Sequence, residues 1–275
     1  MRGQTIYPGR ARLCAYIEME TAEEKTDTPL FESAGILLNI YANGKGAKRN
    51  IPLAKRMACI IWSAPAELEA RLEHLSQIEA GKSLETEFDV CDDITSGRMG
   101  GECAAHQERI SDAERNRYLS QVRGKLSAAQ RSFLSDLEKK LDAFVTARSD
   151  GEIDQGGTIR MARLIGEEEV VRVQFADGIK TLIDGISGDW KPADYKKADQ
   201  ELNAVYKKLQ GRKEFIAEGV SAERIKLSQR AWLKYRDAWV KFGQSLYPDR
   251  LPESLITELT RQRVVMLSEL AEDEG

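Results

Sequence analysis

The chain has 275 residues and a formal net charge of −4; 31% of its residues are charged and only 7% are aromatic. This length suffices for one large domain or two small ones, and the composition favours long polar-faced helices over sheets. The charge disfavours a nucleic-acid binder, which usually carries a basic surplus. The sequence has no apolar run of about 18 residues, so it contains no transmembrane helix.

The first 30 residues predict an extended arm that ends in the polar linker TAEEKTDTP. Helical spacing begins over 31–41 and stops at a turn, 42–46, whose Asn and Gly residues favour positive φ. Pro52 is well placed to open a second helix, and a third is predicted over 64–78. The polar start MRGQTIYPGR is not a signal peptide, so the chain is either cytosolic or a mature exported form.

Two cysteines bracket the segment CDDITSGRMGGEC, residues 91–103. Cys14 and Cys59 bring the cysteine count to four, which allows three pairings. The simplest joins Cys91 to Cys103 and Cys14 to Cys59, because each bond then ties neighbouring segments. Two disulfides would place the protein in an oxidising compartment.

We interpret this segment as a stapled acidic surface loop that binds a protein. Its glycines would allow a tight turn, the disulfide would hold it, and its acids would face outward. A rigid loop loses little entropy on docking, and we predict Asp92, Asp93, Arg98 and Glu102 as the partner-binding residues. Residues 66–115 hold 13 acidic and five basic residues, a charge that would attract a basic partner. The alternative is loop stabilisation with no partner.

No pattern in the sequence favours a metal, cofactor or catalytic site. His74 and His106 have no His or Cys at a zinc spacing, and there is no G-x-S-x-G elbow. Asp92 and Asp93 as cation ligands, or Cys103 with His106 as a nucleophile pair, are weaker alternatives. We therefore predict no cofactor, no metal and no enzyme activity.

Beyond residue 104 the helical period returns in six stretches, about 105–125, 128–148, 157–186, 192–211, 221–246 and 252–272. The pattern Gln-Arg-x-aromatic-Leu at 130–134 recurs at 229–233, which indicates an internal repeat of two three-helix units. The predicted fold is all-α, a helical hairpin followed by these two units. The predicted sections are 1–90 (arm and hairpin), 91–188 (stapled loop and first, divergent unit) and 189–275 (final unit).

Three segments in order resemble the LprI-type lysozyme-inhibitor domain: ADYKKADQELNAVYKKL, LSQRAWLKYRDAWVKF and LTRQRVVMLSEL, within residues 192–270. The residues that match its motif are Leu202, Asn203, Tyr206, Gln229, Arg230, Trp232, Tyr235, Arg236, Asp237 and Arg263. The resemblance implies a small helical domain of exported bacterial proteins. Many members have cysteines that frame the domain, whereas this chain has none beyond Cys103.

The hairpin over 34–64 is similar to a Sel-like repeat, a relative of the tetratricopeptide repeat. The marks of that repeat are Leu-x-x-Tyr-x-x-Gly-x-Gly and a following Asn-x-x-x-Ala. One unit does not make a solenoid. Both resemblances imply protein binding.

From these patterns and resemblances we expect an exported bacterial protein, periplasmic or secreted, whose leader is absent from the chain. Its expected role is stoichiometric inhibition of a lysozyme, or of a cell-envelope-attacking toxin as an immunity protein. Its expected partner is therefore a protein and not a nucleic acid. The alternative is a non-inhibitory protein-binding scaffold of the cell envelope.

Overall fold

A computed structural model describes residues 8–21, 29–82, 87–184, 192–248 and 253–272. These ranges contain ten α-helices and no β-strand, which confirms the all-α prediction. In chain order the helices are α1 (Pro8–Thr21), α2 (Ser33–Asn43), α3 (Ile51–Ala58), α4 (Pro65–Glu79), α5 (Gly97–Lys125), α6 (Ala128–Glu152), α7 (Arg160–Ile183), α8 (Pro192–Gln210), α9 (Ala222–Leu246) and α10 (Glu253–Glu272).

The chain forms two compact units, residues 1–107 and 108–275, and the division falls within α5. Each unit has its own apolar core. The core of the first is built mainly from α2 and α3, with single buried residues from α1, α4 and α5, and that of the second from α5 to α10. The three sections predicted from the sequence divide the chain differently and stay a prediction.

The predicted N-terminal arm is wrong, because residues 8–21 form α1. Ala15 is buried against the first core, and the hydroxyls of Tyr16 and Tyr41 lie 2.8 Å apart. Leu13 and Ile17 are exposed, so α1 lacks the apolar stripe by which a helix is usually found. Most of the predicted linker lies outside the described residues.

The predicted hairpin of α2 and α3 is present. Gly44 ends α2 with φ of +69°, a left-handed conformation that glycine adopts without strain. Asn50 begins α3: its side chain accepts a hydrogen bond from the Leu53 N–H at 3.1 Å, and Pro52 lies in the first turn. That this hairpin is a Sel-like repeat stays a prediction.

Helices α6 and α9 run antiparallel and form the centre of the second unit. At one end the Gln130 side chain donates to the Ser245 carbonyl at 3.0 Å, and at the other Glu152 contacts Ser228. Gly151 permits this approach, since an added Cβ would lie 3.0 Å from backbone atoms of Arg224. The two helices thus pack along most of their length.

Two helix–helix–helix sets occur in the second unit, but the aligned repeat residues do not play equivalent roles. Phe133 is 40% exposed, whereas its counterpart Trp232 is 2% exposed. Leu134 is fully buried, whereas Leu233 is 37% exposed. The sequence similarity between the two motifs therefore does not reflect equivalent packing.

Candidate functional site

The predicted Cys91–Cys103 disulfide is present, with the two Cα atoms 5.9 Å apart. The segment it closes is only partly a loop, because α5 begins at Gly97. Its three glycines therefore lie in the first turns of a helix and not in a tight turn, which corrects the prediction. Met99 is 1% exposed and anchors the first turn of α5 in the core of the first unit. The disulfide thus ties a helix start to the segment before it.

Asp93 does not face outward, which is a second correction. Its Oδ2 lies 3.2 Å from His74 Nδ1, and both side chains are only 12% exposed. Burial raises the pKa of Asp93, and the contact with His74 opposes that shift. Asp92, the neighbouring residue, is exposed. Only one of the two predicted aspartates therefore belongs to the surface.

The exposed Arg98 pairs with the half-buried Glu102 on the next turn of α5. The Arg98 Nε lies 3.6 Å from a Glu102 carboxylate oxygen, and the Arg98 side chain is 67% exposed. The Arg98 guanidinium also lies over the Trp62 ring, 4.4 Å from its centroid. We define Asp92, Arg98 and Glu102 as the staple surface. Its charge is mixed and not uniformly acidic.

Glu67, which the sequence analysis missed, holds the stapled segment onto α4. Its carboxylate is fully buried and accepts from the N–H groups of Ala64 at 3.1 Å, Thr95 at 2.9 Å and Ser96 at 2.6 Å. Burial raises the pKa of Glu67, but these donors outweigh burial and leave the pKa below 4.5. A Glu at the third position of a helix that begins with Pro65 was the available signal.

The predicted Cys14–Cys59 disulfide is absent, and both cysteines are exposed free thiols. Cys14 lies on α1, which packs against α2, while Cys59 follows the end of α3. The two helices lie against a common neighbour and do not bring their thiols together.

The ten residues that match the family motif divide by burial. Five belong to the core of the second unit: Leu202, Gln229, Trp232, Tyr235 and Arg263. The other five are exposed or half-buried: Asn203, Tyr206, Arg230, Arg236 and Asp237. Asn203 donates to Asp199 one turn earlier, and Arg236 donates to its neighbour Asp237 at 2.9 Å. The buried half of the motif thus specifies the fold of this region.

Arg263 has no exposed surface and makes an ion pair inside the protein. Its Nη1 and Nη2 donate to the two carboxylate oxygens of Glu152 at 2.7 and 2.5 Å, and its Nε donates to Gln229 Oε1 at 2.9 Å. The Ser228 hydroxyl also donates to Glu152. Arg148 adds a second cation, with its Nε 3.8 Å from the same carboxylate. This bidentate pairing neutralises a charge that would otherwise be costly to bury.

The motif residue Tyr235 and the neighbouring Trp239 of α9 pack against α6 and α7. Tyr235 stacks on Phe144 with ring centroids 5.7 Å apart, and burial raises its pKa above the ordinary value. Trp239, on the same face, meets Phe175 at 5.5 Å. Gly178 allows this packing, because a Cβ there would lie 3.0 Å from the Trp239 ring. The face of α9 that carries the motif is therefore covered by helices that precede it in the chain.

Residues 191–267 match the family described as Lysozyme inhibitor LprI. The C-terminal part of this chain is therefore similar to the LprI family, and residues 191–267 are named the LprI-type domain after it. No curated protein and no solved structure gives a significant match. The match covers under a third of the chain.

The LprI-type domain takes its counter-ion from outside its own limits. Arg263 and Gln229 lie within the matched residues, whereas Glu152 ends α6, well before them. The sequence pattern indicates both motif residues but not Glu152. A buried arginine requires an acidic partner, but the spacing within α8 to α10 does not indicate which acid supplies it.

Across the described ranges, no three His, Cys, Asp or Glu side chains converge in a way that would hold a metal ion. None of the described helices is long and apolar enough to span a bilayer.

Proposed function

We propose that this chain is an exported bacterial protein that inhibits a lysozyme, or a cell-envelope-attacking toxin, by forming a stoichiometric complex with it. The match of residues 191–267 to the lysozyme-inhibitor family carries the proposal. The internal ion pair of Arg263 supports it, because the buried motif residues are packed and hydrogen-bonded as a folded domain needs.

Export is supported by the Cys91–Cys103 disulfide, since such bonds persist in oxidising compartments and are rare in the cytosol. The complex would act by covering the target, because stable protein complexes bury enough surface to occlude a cleft.

We propose the staple surface as part of the interface with the target. Asp92 supplies an exposed carboxylate there and Glu102 a half-buried one, and the disulfide and Glu67 hold their backbone before binding. A held backbone loses less conformational entropy on complex formation. Arg98 adds a charged group that already lies over an indole ring.

The deciding experiment is a titration of a c-type lysozyme with this protein on cell-wall substrate. We expect inhibition that saturates near one-to-one. Full lysozyme activity at micromolar protein would exclude a c-type lysozyme as the target, and a pull-down with envelope-attacking toxins would follow.

The interface is tested with the paired substitutions Asp92→Asn and Glu102→Gln, which remove charge and keep shape. We expect weaker binding and a flatter dependence on salt, because steering by exposed charges is screened by ions. The matched control is Asp142→Asn with Glu201→Gln, two exposed acids of the second unit. Equal affinity of the two double variants would place the interface elsewhere.

The alternative is a scaffold that binds a protein without inhibiting it, and the α2–α3 hairpin favours it. A complex that forms at one-to-one and leaves the target fully active would establish this alternative.

A further inference from the structure

A cleft of about 360 Å³ opens on the second unit beside the Arg263–Glu152 pair. It lies between the end of α6, the start of α7, the connection 211–221 and the last turns of α10. Part of its lining is apolar: Phe215, Ile216, Met266 and Leu270. Ile216 lies at the surface and is 79% exposed.

The charged lining is more acidic than basic. Four carboxylates, those of Glu152, Asp154, Glu167 and Glu269, face two guanidinium groups, those of Arg148 and Arg163. The lining thus has two more acidic than basic side chains, and one of the acids, Glu152, is neutralised by Arg263 beside the cleft.

Both guanidinium groups of the lining are already committed to the protein. Arg148 donates to the Glu167 carboxylate at 2.5 Å and to its carbonyl at 3.0 Å. Arg163 donates to the carboxylate of Asp154 at 2.8 Å and to its carbonyl at 3.0 Å. Each arginine of the lining is therefore already paired with an acid, Arg148 with Glu167 and Arg163, through Nη1, with Asp154.

Glu269 differs from the other three carboxylates of the lining. It lies in the last turns of α10 and is exposed, and its carboxylate makes no ion pair or hydrogen bond with any residue in the described part of the chain. The uncommitted charge of the cleft is consequently negative, next to the apolar side chains of Met266 and Leu270.

We propose that this cleft receives one long basic side chain, an arginine or a lysine, from the surface of a protein partner. The methylene stem of such a side chain packs on apolar surface while its charged end reaches a carboxylate. The apolar surface for the stem is supplied by Met266, Leu270 and Ile216. The carboxylate for the charged end is that of Glu269. The identity of the partner as the inhibited enzyme or toxin rests on the proposed function. The preference of the cleft for a basic side chain is independent of the proposed function.

The test uses the full chain with ¹³C-labelled methionine methyl groups and N-acetyl-L-arginine amide as the probe. The Met266 signal is assigned with Met266→Leu. We expect a saturable shift of this signal, and a much smaller shift with N-acetyl-L-citrulline amide, which has nearly the same shape and no charge.

Glu269→Lys should lower the affinity for the probe by at least about fivefold, because it replaces attraction by repulsion at an exposed rim. Glu258→Lys is the matched control: it makes the same charge change on the same helix, at an exposed position outside the cleft. A Met266 signal that does not move, or probe affinity that is equal in the two variants, overturns the proposal.

The lysozyme titration with the same two variants separates this inference from the proposed function. If wild-type protein inhibits and Glu269→Lys inhibits equally well, the cleft is not the docking point and the proposed function stands. If the probe binds and no lysozyme is inhibited, the cleft stands and the c-type lysozyme target fails.

Discussion

Arg263 is a cation with no access to water whose carboxylate partner lies 111 residues earlier in the chain. A buried ion pair adds little net stability over an apolar pair of the same shape, but loss of one partner leaves a charge unpaired. We expect this pair to favour the observed packing of α6 against α9 and α10 over others, because that packing places both carboxylate oxygens at the guanidinium.

We expect Glu152→Gln to lower the free energy of unfolding of the second unit by about 3–5 kcal/mol, because it leaves Arg263 without its counter-charge. Denaturant unfolding followed by circular dichroism measures this loss. The control is Asp142→Asn on the same helix; its exposed pair with Arg172 should contribute only about 0–1 kcal/mol. Similar losses in the two variants would mean that the buried pair has no special role.

The lowered pKa of the Glu67 carboxylate predicts that acid destabilises the first unit. Its pKa is lowered on folding, so the stability it supplies is present above about pH 4.5 and is lost as the pH falls through the folded pKa. The raised pKa of Asp93 acts in the opposite sense, because its protonation favours the folded state. Glu67 anchors two backbone N–H groups of the stapled segment, so that segment should loosen first in acid.

Glu67→Gln should cost the first unit about 1.5–3 kcal/mol near neutral pH, since hydrogen bonds to a charged group are lost. It should also flatten the loss of stability below about pH 4.5. Thermal unfolding at a series of pH values tests both effects. Glu69→Gln, an exposed position on the same helix, is the control. An unchanged pH profile in Glu67→Gln would contradict the assignment.

Among these residues, sequence patterns identified those that carry an apolar stripe or a familiar motif. Gln229, Trp232, Tyr235 and Arg263 were found in this way. Glu67 and Glu152 were missed because the energy of a buried carboxylate lies in its contacts, and these come from segments distant in the chain. Asp93 was misplaced for the same reason, because its partner His74 lies on α4.

For the helices, too, the prediction is right where the signal is local and fails where the helix depends on tertiary contacts. The starts of α6 and α9 match the prediction to within one residue, because both helices have long apolar stripes and serine caps, but α6 continues four residues beyond its predicted end. α1 was missed because only Ala15 of that helix is deeply buried. The start of α5 was missed because its glycines favour turns; the buried Met99 and the disulfide provide the tertiary contacts that hold it helical.

The disulfide at the start of α5 should stabilise the first unit by about 3 kcal/mol on the chain-entropy estimate for a loop of this length. We expect Cys91→Ala with Cys103→Ala to lose that amount in denaturant unfolding. The control, Cys14→Ala with Cys59→Ala, should change stability by less than about 0.5 kcal/mol, since both thiols are exposed. Thiol titration of the native wild-type protein should find two reactive groups; four would mean that the staple is absent.

Taken together, the helices of the second unit make the LprI-type domain dependent on residues before its limits. The core of the second unit is continuous from Leu119 to Ala271 and includes Phe144 and Phe175, which cover the aromatic face of α9. We therefore expect a fragment of residues 189–275 to lack cooperative unfolding, and a fragment of residues 108–275 to retain it.

Circular dichroism and thermal unfolding of the two fragments measure this difference. The shorter fragment loses the Glu152 counter-charge and the apolar cover of Trp239, so it should be partly helical at most and unfold without a clear midpoint. A sharp transition in residues 189–275 would show that the matched region folds alone.

The position of Arg98 over Trp62 has an optical consequence. Indole emission is sensitive to a charge at the ring face, and Arg98 is exposed enough to be drawn away by a bound molecule. Trp232 and Trp239 are buried in the second unit and shielded from such an event. A difference spectrum between the wild-type protein and Trp62→Phe would then isolate one fluorophore, and the chain would report occupancy of its staple surface without an attached dye.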